Sequence, residues 1–153
     1  MRSFYFLLLA LLVCFNLSSA QKTNPNYDED LAQKLGADDY GMRSYVLVLL
    51  KTGTNTSSDE VAKNKAFQGH MDNMSVMVEK DQLVVAGPLE TNENQYRGIF
   101  ILKASTLDEA REILKSDPAI KEKYLEPEMY KWYGSAALPE YLPASDKIWK
   151  VGF

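Results

Sequence analysis

The sequence is poor in the residues that carry most metal and covalent chemistry. Among 153 residues there is one cysteine, Cys14, and one histidine, His70. Cys14 falls in a leader expected to be removed, so the mature chain can use neither disulfides nor thiolates. One histidine and scattered carboxylates do not supply the three or four ligands of a zinc site, and no metal is expected. There is no glycine-rich phosphate loop, no dinucleotide fingerprint and no G-x-S-x-G elbow, and no cofactor is expected. Basic residues are the minority, 17 against 21 acidic. They form no cluster or stripe, which argues against nucleic acid as a partner.

Also missing is a membrane-length apolar run. Phe4 to Phe15 is apolar for about twelve residues, where a span needs roughly twenty. What is present instead has the three parts of a secretion signal. Arg2 gives a positive start, the apolar run follows, and Ser18-Ser19-Ala20 places small residues before Gln21. Residues 1–20 therefore read as a cleavable signal peptide, which predicts export to the periplasm or cell exterior and no stable membrane anchor after cleavage. Val13 stands where a lipobox needs a small residue, so Cys14 reads as signal-core filler. Cleavage removes Arg2 and no acid, moving the net charge from −4 to −5. An exported domain of this size without disulfides must be held by core burial, with association with another chain as a possible aid.

Residues 21–43 are polar and acidic and read as a linker with one weak helical turn around Leu31–Leu35. From Ser44 the chain is patterned. Tyr45 to Leu50 is β-rich and stops at Lys51-Thr52-Gly53. Ser57 with Glu60 has the spacing of a capping box. From Asp59 to about Glu79 apolar residues recur at helical spacing, with Phe67, Met71, Met74 and Val78 in one stripe and Ala66, His70 and Met77 on its shoulder. Gly69 inside this helix costs about 1 kcal/mol relative to Ala, which suggests that something approaches closely there. Gln82 to Leu89 and Gly98 to Leu102 form a hairpin. Thr106 with Glu109 caps a short helix, which Ser116-Asp117-Pro118 ends, and Glu128 to Tyr133 is a last strand. The order β-α-β-β-α-β predicts an α+β, ferredoxin-like fold, a four-stranded antiparallel sheet with helices on one face. The domain would span 44–134, with a C-terminal tail over 135–153.

These strands are apolar on both sides. Tyr45, Leu47 and Leu49 oppose Val46, Val48 and Leu50, and in the third strand Ile99 and Ile101 oppose Phe100 and Leu102. Two helices cover one face only, and burying apolar surface is worth about 25 cal/mol per Å². The second face therefore calls for a cover, either the same face of a second subunit, giving a homodimer, or the tail with Leu138, Tyr141, Leu142, Ile148, Trp149 and Phe153.

The hydrophobic first strand, the helix segment Phe67-Gln68-Gly69-His70-Met71, the strand end Val85-Ala86-Gly87-Pro88 and the Ser116-Asp117-Pro118 break, taken in order, resemble the YciI-like (YCII-related) family over roughly Tyr45 to Tyr133. That resemblance implies a dimeric α+β barrel and an active site built on the helix histidine and the Asp-Pro aspartate, here His70 and Asp117. On that resemblance small, ring-derived, acidic molecules are a reasonable substrate class, and the reaction to expect is cofactor-independent, of lyase, isomerase or hydrolytic-elimination type, on a small polar or ring-derived molecule. The export signal, acidic linker and aromatic tail depart from the compact members of the family.

Each candidate residue also has an ordinary reading. An unperturbed imidazole titrates at about 6.5 and suits proton transfer at neutral pH, yet a lone helical histidine is often a packed structural residue. On the projection His70 lies at the stripe's edge and should face the rim of the sheet. Asp before Pro is a helix opening, and its second oxygen could still orient an imidazole. Gly87-Pro88 either stops a strand or lets a ligand approach the backbone. Tyr130, with Trp132 and Tyr133, either floors a binding pocket or packs. The residues thus offer two functions, a His70/Asp117 acid–base enzyme with Gly87, Pro88 and Tyr130 at its substrate, or a non-catalytic exported dimeric ligand-binding or structural module.

Overall fold

A computed structural model describes residues 24–150; the signal peptide and Phe153 lie outside the described residues. The elements are α1 (Glu29–Leu35), β1 (Met42–Thr52), α2 (Glu60–Glu79), β2 (Leu83–Pro88), β3 (Tyr96–Leu102), α3 (Leu107–Leu114), α4 (Pro118–Lys121), β4 (Leu125–Ser135), a 3₁₀ turn (Leu138–Tyr141) and α5 (Leu142–Ser145). The sheet order is β2-β3-β1-β4 with every neighbouring pair antiparallel. This is the split β-α-β arrangement that the element order predicts.

The helix face of the sheet carries the core. Val46, Val48 and Leu50 of β1 and Phe100 and Leu102 of β3 pack against Met77, Ala110 and Leu114 from the helices. Leu47, Leu49, Val85, Ile99 and Ile101 occupy the other face and stay half-buried in the single chain. Tyr45 is the exception there, fully buried beneath Trp132 and Arg43, with its O–H donating to the Ser135 carbonyl at 2.9 Å. The tail touches the edge strand, where Tyr141 O–H donates to the Val84 carbonyl at 2.6 Å. Beyond that contact Ile148 and Trp149 are exposed, by 81% and 60%.

Several local expectations are corrected. Helix α2 is capped by Asp59, whose side chain accepts from Ala62 N–H, while Ser57 accepts only from Asp59 N–H. Asp59 is adjacent to the first helical residue, which is where a cap must sit to reach a free amide. The buried line of α2 is Ala66, His70 and Met77, one step round from the expected stripe, and Val78 is exposed. Phe67 and Met74 are held back from full burial because a cavity lies between them and the sheet. The linker holds a full seven-residue helix, started by Asp28 and ended by Gly36 in the left-handed conformation that glycine adopts without strain.

Candidate active site

Among the described residues, the tyrosines apart, His70 and Asp117 are the only buried polar or charged residues, 8% and 0% exposed. Burying such groups is unfavourable unless they are paired, and they are paired with each other. His70 Nδ1 lies 2.6 Å from Asp117 Oδ2. The other oxygen, Oδ1, accepts from the backbone N–H groups of Ala119 at 2.9 Å and Ile120 at 3.2 Å, capping α4. Both roles that the Asp-Pro sequence allows are present at once, one on each oxygen.

Local sequence explains how the two meet. His70 is held in α2 and Asp117 at the start of α4, and their chain neighbours form a second contact. A Cβ built on Gly69 would stand 2.7 Å from Cγ of Pro118, closer than atoms tolerate. Gly69 is therefore the close approach that its helix-breaking cost suggests, and it lets α4 lie on α2 closely enough for the hydrogen bond beside it. The imidazole is fixed on its faces too, stacked on Phe100 at 5.6 Å between centroids and 19° between planes, with Phe67 edge-on at 6.4 Å. Phe100 belongs to an inner strand, so His70 lies over the sheet and not at its rim as the projection suggests. The projection cannot show how far the helix axis is shifted across the sheet.

When the carboxylate is ionised and the ring neutral, this contact puts the hydrogen on Nδ1 and leaves the lone pair on Nε2. No described group is hydrogen-bonded to Nε2. His70 borders a cavity of about 330 Å³ between α2 and the β2–β3 half of the sheet, lined mainly by Leu50, Phe67, Met71, Met74, Phe100 and Leu125. Gly87 and Pro88 line the same cavity, and Asp117 stands behind His70. Tyr130 does not. It pairs with Leu47 in the sheet, and residues facing each other across a ladder share a face, so Tyr130 lies on the opposite side of the sheet, 49% exposed. The even-odd alternation of β4 made this legible once the register was known, and one strand alone does not reveal its register.

A larger cleft of about 550 Å³ lies across α2, lined by Lys65, Gln68, Asp72, Pro118 and Glu122. His70 does not line it, so of the two only the smaller cavity meets the His70–Asp117 pair. Among the described residues no three of His, Cys, Asp and Glu gather as a metal-binding set. Sequence reading missed Phe100, which holds the ring flat, and Pro118, the residue that Gly69 accommodates.

Fold and site together define a ferredoxin-like α+β domain with one buried histidine–aspartate pair at a small apolar cavity. The chain belongs to the YCII-related domain family, whose profile matches residues 45–132. No protein of curated function matches it. Among solved structures it is similar to the 5-chloro-2-hydroxyhydroquinone dehydrochlorinase of Burkholderia phenoliruptrix AC1100, in complex with 2,5-dihydroxybenzoquinone. The identity is 19% and the TM-score 0.40, over 56% of this chain and 92% of that one. A likeness of that size leaves the chemistry of this chain to its own residues.

Proposed function

We propose that the protein is a cofactor-independent enzyme of lyase or isomerase type, with His70 as general acid/base and Asp117 as the group that orients it. The observation that carries this reading is the buried 2.6 Å contact between His70 and Asp117 at the wall of an apolar cavity. Nε2 takes a proton from a C–H next to a carbonyl; the electrons of that bond form a C=C bond while the carbonyl π pair moves to oxygen, giving an enolate. The C=O then re-forms, and the released electrons either take the proton back from Nε2 at a carbon conjugated with the enolate, giving an isomer, or expel a group from the β-carbon with its bonding pair, giving elimination. Asp117 holds the ring in the Nδ1–H form and stabilises the imidazolium that forms. The apolar lining keeps water from competing for the proton and strengthens the charge interaction. Gly87 and Pro88 border the substrate, a small polar or ring-derived molecule.

The alternative is a non-catalytic ligand-binding or structural module. It is favoured by the fact that both residues have complete packing roles, Asp117 as a helix cap and His70 stacked on Phe100. A metabolite screen in D₂O separates the two. Compounds that bind the mature protein and carry a C–H beside a carbonyl should gain deuterium with the wild type and not with His70→Ala. Binding without any His70-dependent exchange assigns the module.

In this reading the protein is an exported homodimer, joined through the half-buried face of Leu47, Leu49, Val85, Ile99 and Ile101. The exposure of Ile148 and Trp149 supports a second subunit over the tail as the cover of that face. Sizing of the mature protein checks it, since a monomer with its tail intact would return that role to the tail. Among the described residues no helix is long and apolar enough to cross a membrane. Export by residues 1–20 predicts a mature N-terminus at Gln21, and an intact Met1 on the exported protein would refute it.

A further inference from the structure

We propose that Arg97 is an anion-binding residue of the His70 cavity, so that the molecule bound there carries a negatively charged group. The inference rests on reading that cavity as the ligand site and adds the residue that would hold an acidic group of the ligand. It starts from an irregularity in the sheet. Between Leu50 and Lys51 the β1–β3 register jumps from Gly98 to Tyr96, leaving Arg97 without a partner on β1. Lys51 falls on the face of β1 that carries Tyr45, Leu47 and Leu49. Tyr96, opposite it, donates its O–H to Glu128 Oε2 at 2.9 Å, and Glu128 pairs with Leu49 on that face.

Tyr96 and Ile99 thus lie on one side of the sheet with two residues between them, where regular alternation over that distance would put them on opposite sides. Arg97 and Gly98 together take the cavity side, the re-aiming that a β-bulge produces. Gly98 lets β2 pass close on the other side, since a Cβ there would stand 2.9 Å from the Gly87 carbonyl oxygen. Arg97 accordingly lines the cavity beside Gly87 and Pro88.

The charge balance gives the bulge a purpose. None of the residues lining the cavity carries a carboxylate, and among the described residues Arg97 makes no ion pair. Arg97, itself exposed and without an ion-pair partner among the described residues, thus borders an otherwise apolar cavity in a chain where acidic residues outnumber basic ones. Its planar fork matches a carboxylate or similar anion in a way that no other lining group can. A cavity of about 150 Å³ admits benzene, so about 330 Å³ holds one ring-sized body with a substituent and is too small for a nucleotide. The anion would sit at Arg97 and the apolar body against Phe67, Met74 and Phe100, with Nε2 of His70 beside it.

The test is an NMR titration of the mature protein with benzoate, phenylacetate and cyclohexanecarboxylate and with their three amides, following cavity resonances. At least one acid should bind about tenfold more tightly than its amide. Arg97→Gln should abolish that preference while leaving amide binding unchanged, Arg97→Lys should restore part of it, and added salt should weaken the acid alone. Equal affinity for acid and amide in the wild type, a preference that survives Arg97→Gln, or no binding by any of the six would each overturn the proposal. Acid preference without deuterium exchange at His70 would leave the anion site standing and remove only the enzymatic reading.

Discussion

At Asp38 the chain leaves α1 for β1, and at Asp117 it leaves α3 for α4; the two carboxylates are bonded in the same pattern. Asp38 Oδ1 accepts from the backbone N–H groups of Tyr40 at 2.9 Å and Met42 at 3.0 Å, and Oδ2 accepts from the Tyr133 hydroxyl. Asp117 Oδ1 accepts from Ala119 and Ile120, and Oδ2 meets His70. One oxygen shapes a turn and the other ties it to a distant side chain in both cases. The environments differ. Asp38 is exposed, and its bond from Tyr133 holds its carboxyl below the usual range while raising the phenol to about 12. The phenol has spent its only hydroxyl on that bond. Asp117 is fully buried, and its partner is a ring with a second nitrogen and a cavity beside it. A turn-shaping carboxylate is therefore ordinary scaffolding, and what makes one of them a candidate for chemistry is depth and a partner with a free functional atom.

The comparison is broken most severely by deleting each carboxylate. Asp117→Ala leaves a buried imidazole without its partner and α4 without its cap. It should cost about 3–5 kcal/mol by denaturant unfolding, while Asp38→Ala at the surface should cost clearly less. Equal losses at the two sites would mean that Asp117 is no more than a turn residue.

A smaller effect sharpens the geometry behind the buried site. Helix propensity alone predicts that Gly69→Ala would stabilise α2 by about 1 kcal/mol, while crowding against Pro118 should cost about 1–3 kcal/mol. A net loss, together with a shifted His70 ring resonance, would show that Gly69 sets the distance between α2 and α4. A net gain with the ring unmoved would remove Gly69 from the account.

Much of this was legible along the chain. The strand and helix order follows from apolar spacing, Thr106 caps α3 as its box with Glu109 implies, and Asp117-Pro118 opens α4 as an Asp-Pro pair should. The pairing of His70 with Asp117 came from the family resemblance, since 47 residues separate them and no local rule joins residues so far apart. What could not be read was whatever depends on register between strands. The bulge at Arg97 exists only as a mismatch between β1 and β3, and the side on which Tyr130 lies is decided by its pairing with Leu47. Likewise, the depth of His70 depends on where α2 lies across the sheet, and periodicity along a helix reports direction without distance.

The most direct test of the buried pair is the protonation site of the neutral His70 ring, read from its ¹⁵N shifts in wild type and in Asp117→Asn. The wild type should carry hydrogen on Nδ1 with Nε2 bare. In the variant the asparagine oxygen is needed by the Ala119 and Ile120 amides, so its NH₂ group meets Nδ1 and the hydrogen should move to Nε2. A wild-type ring protonated on Nε2, or one that does not change when Asp117 becomes asparagine, would contradict the account.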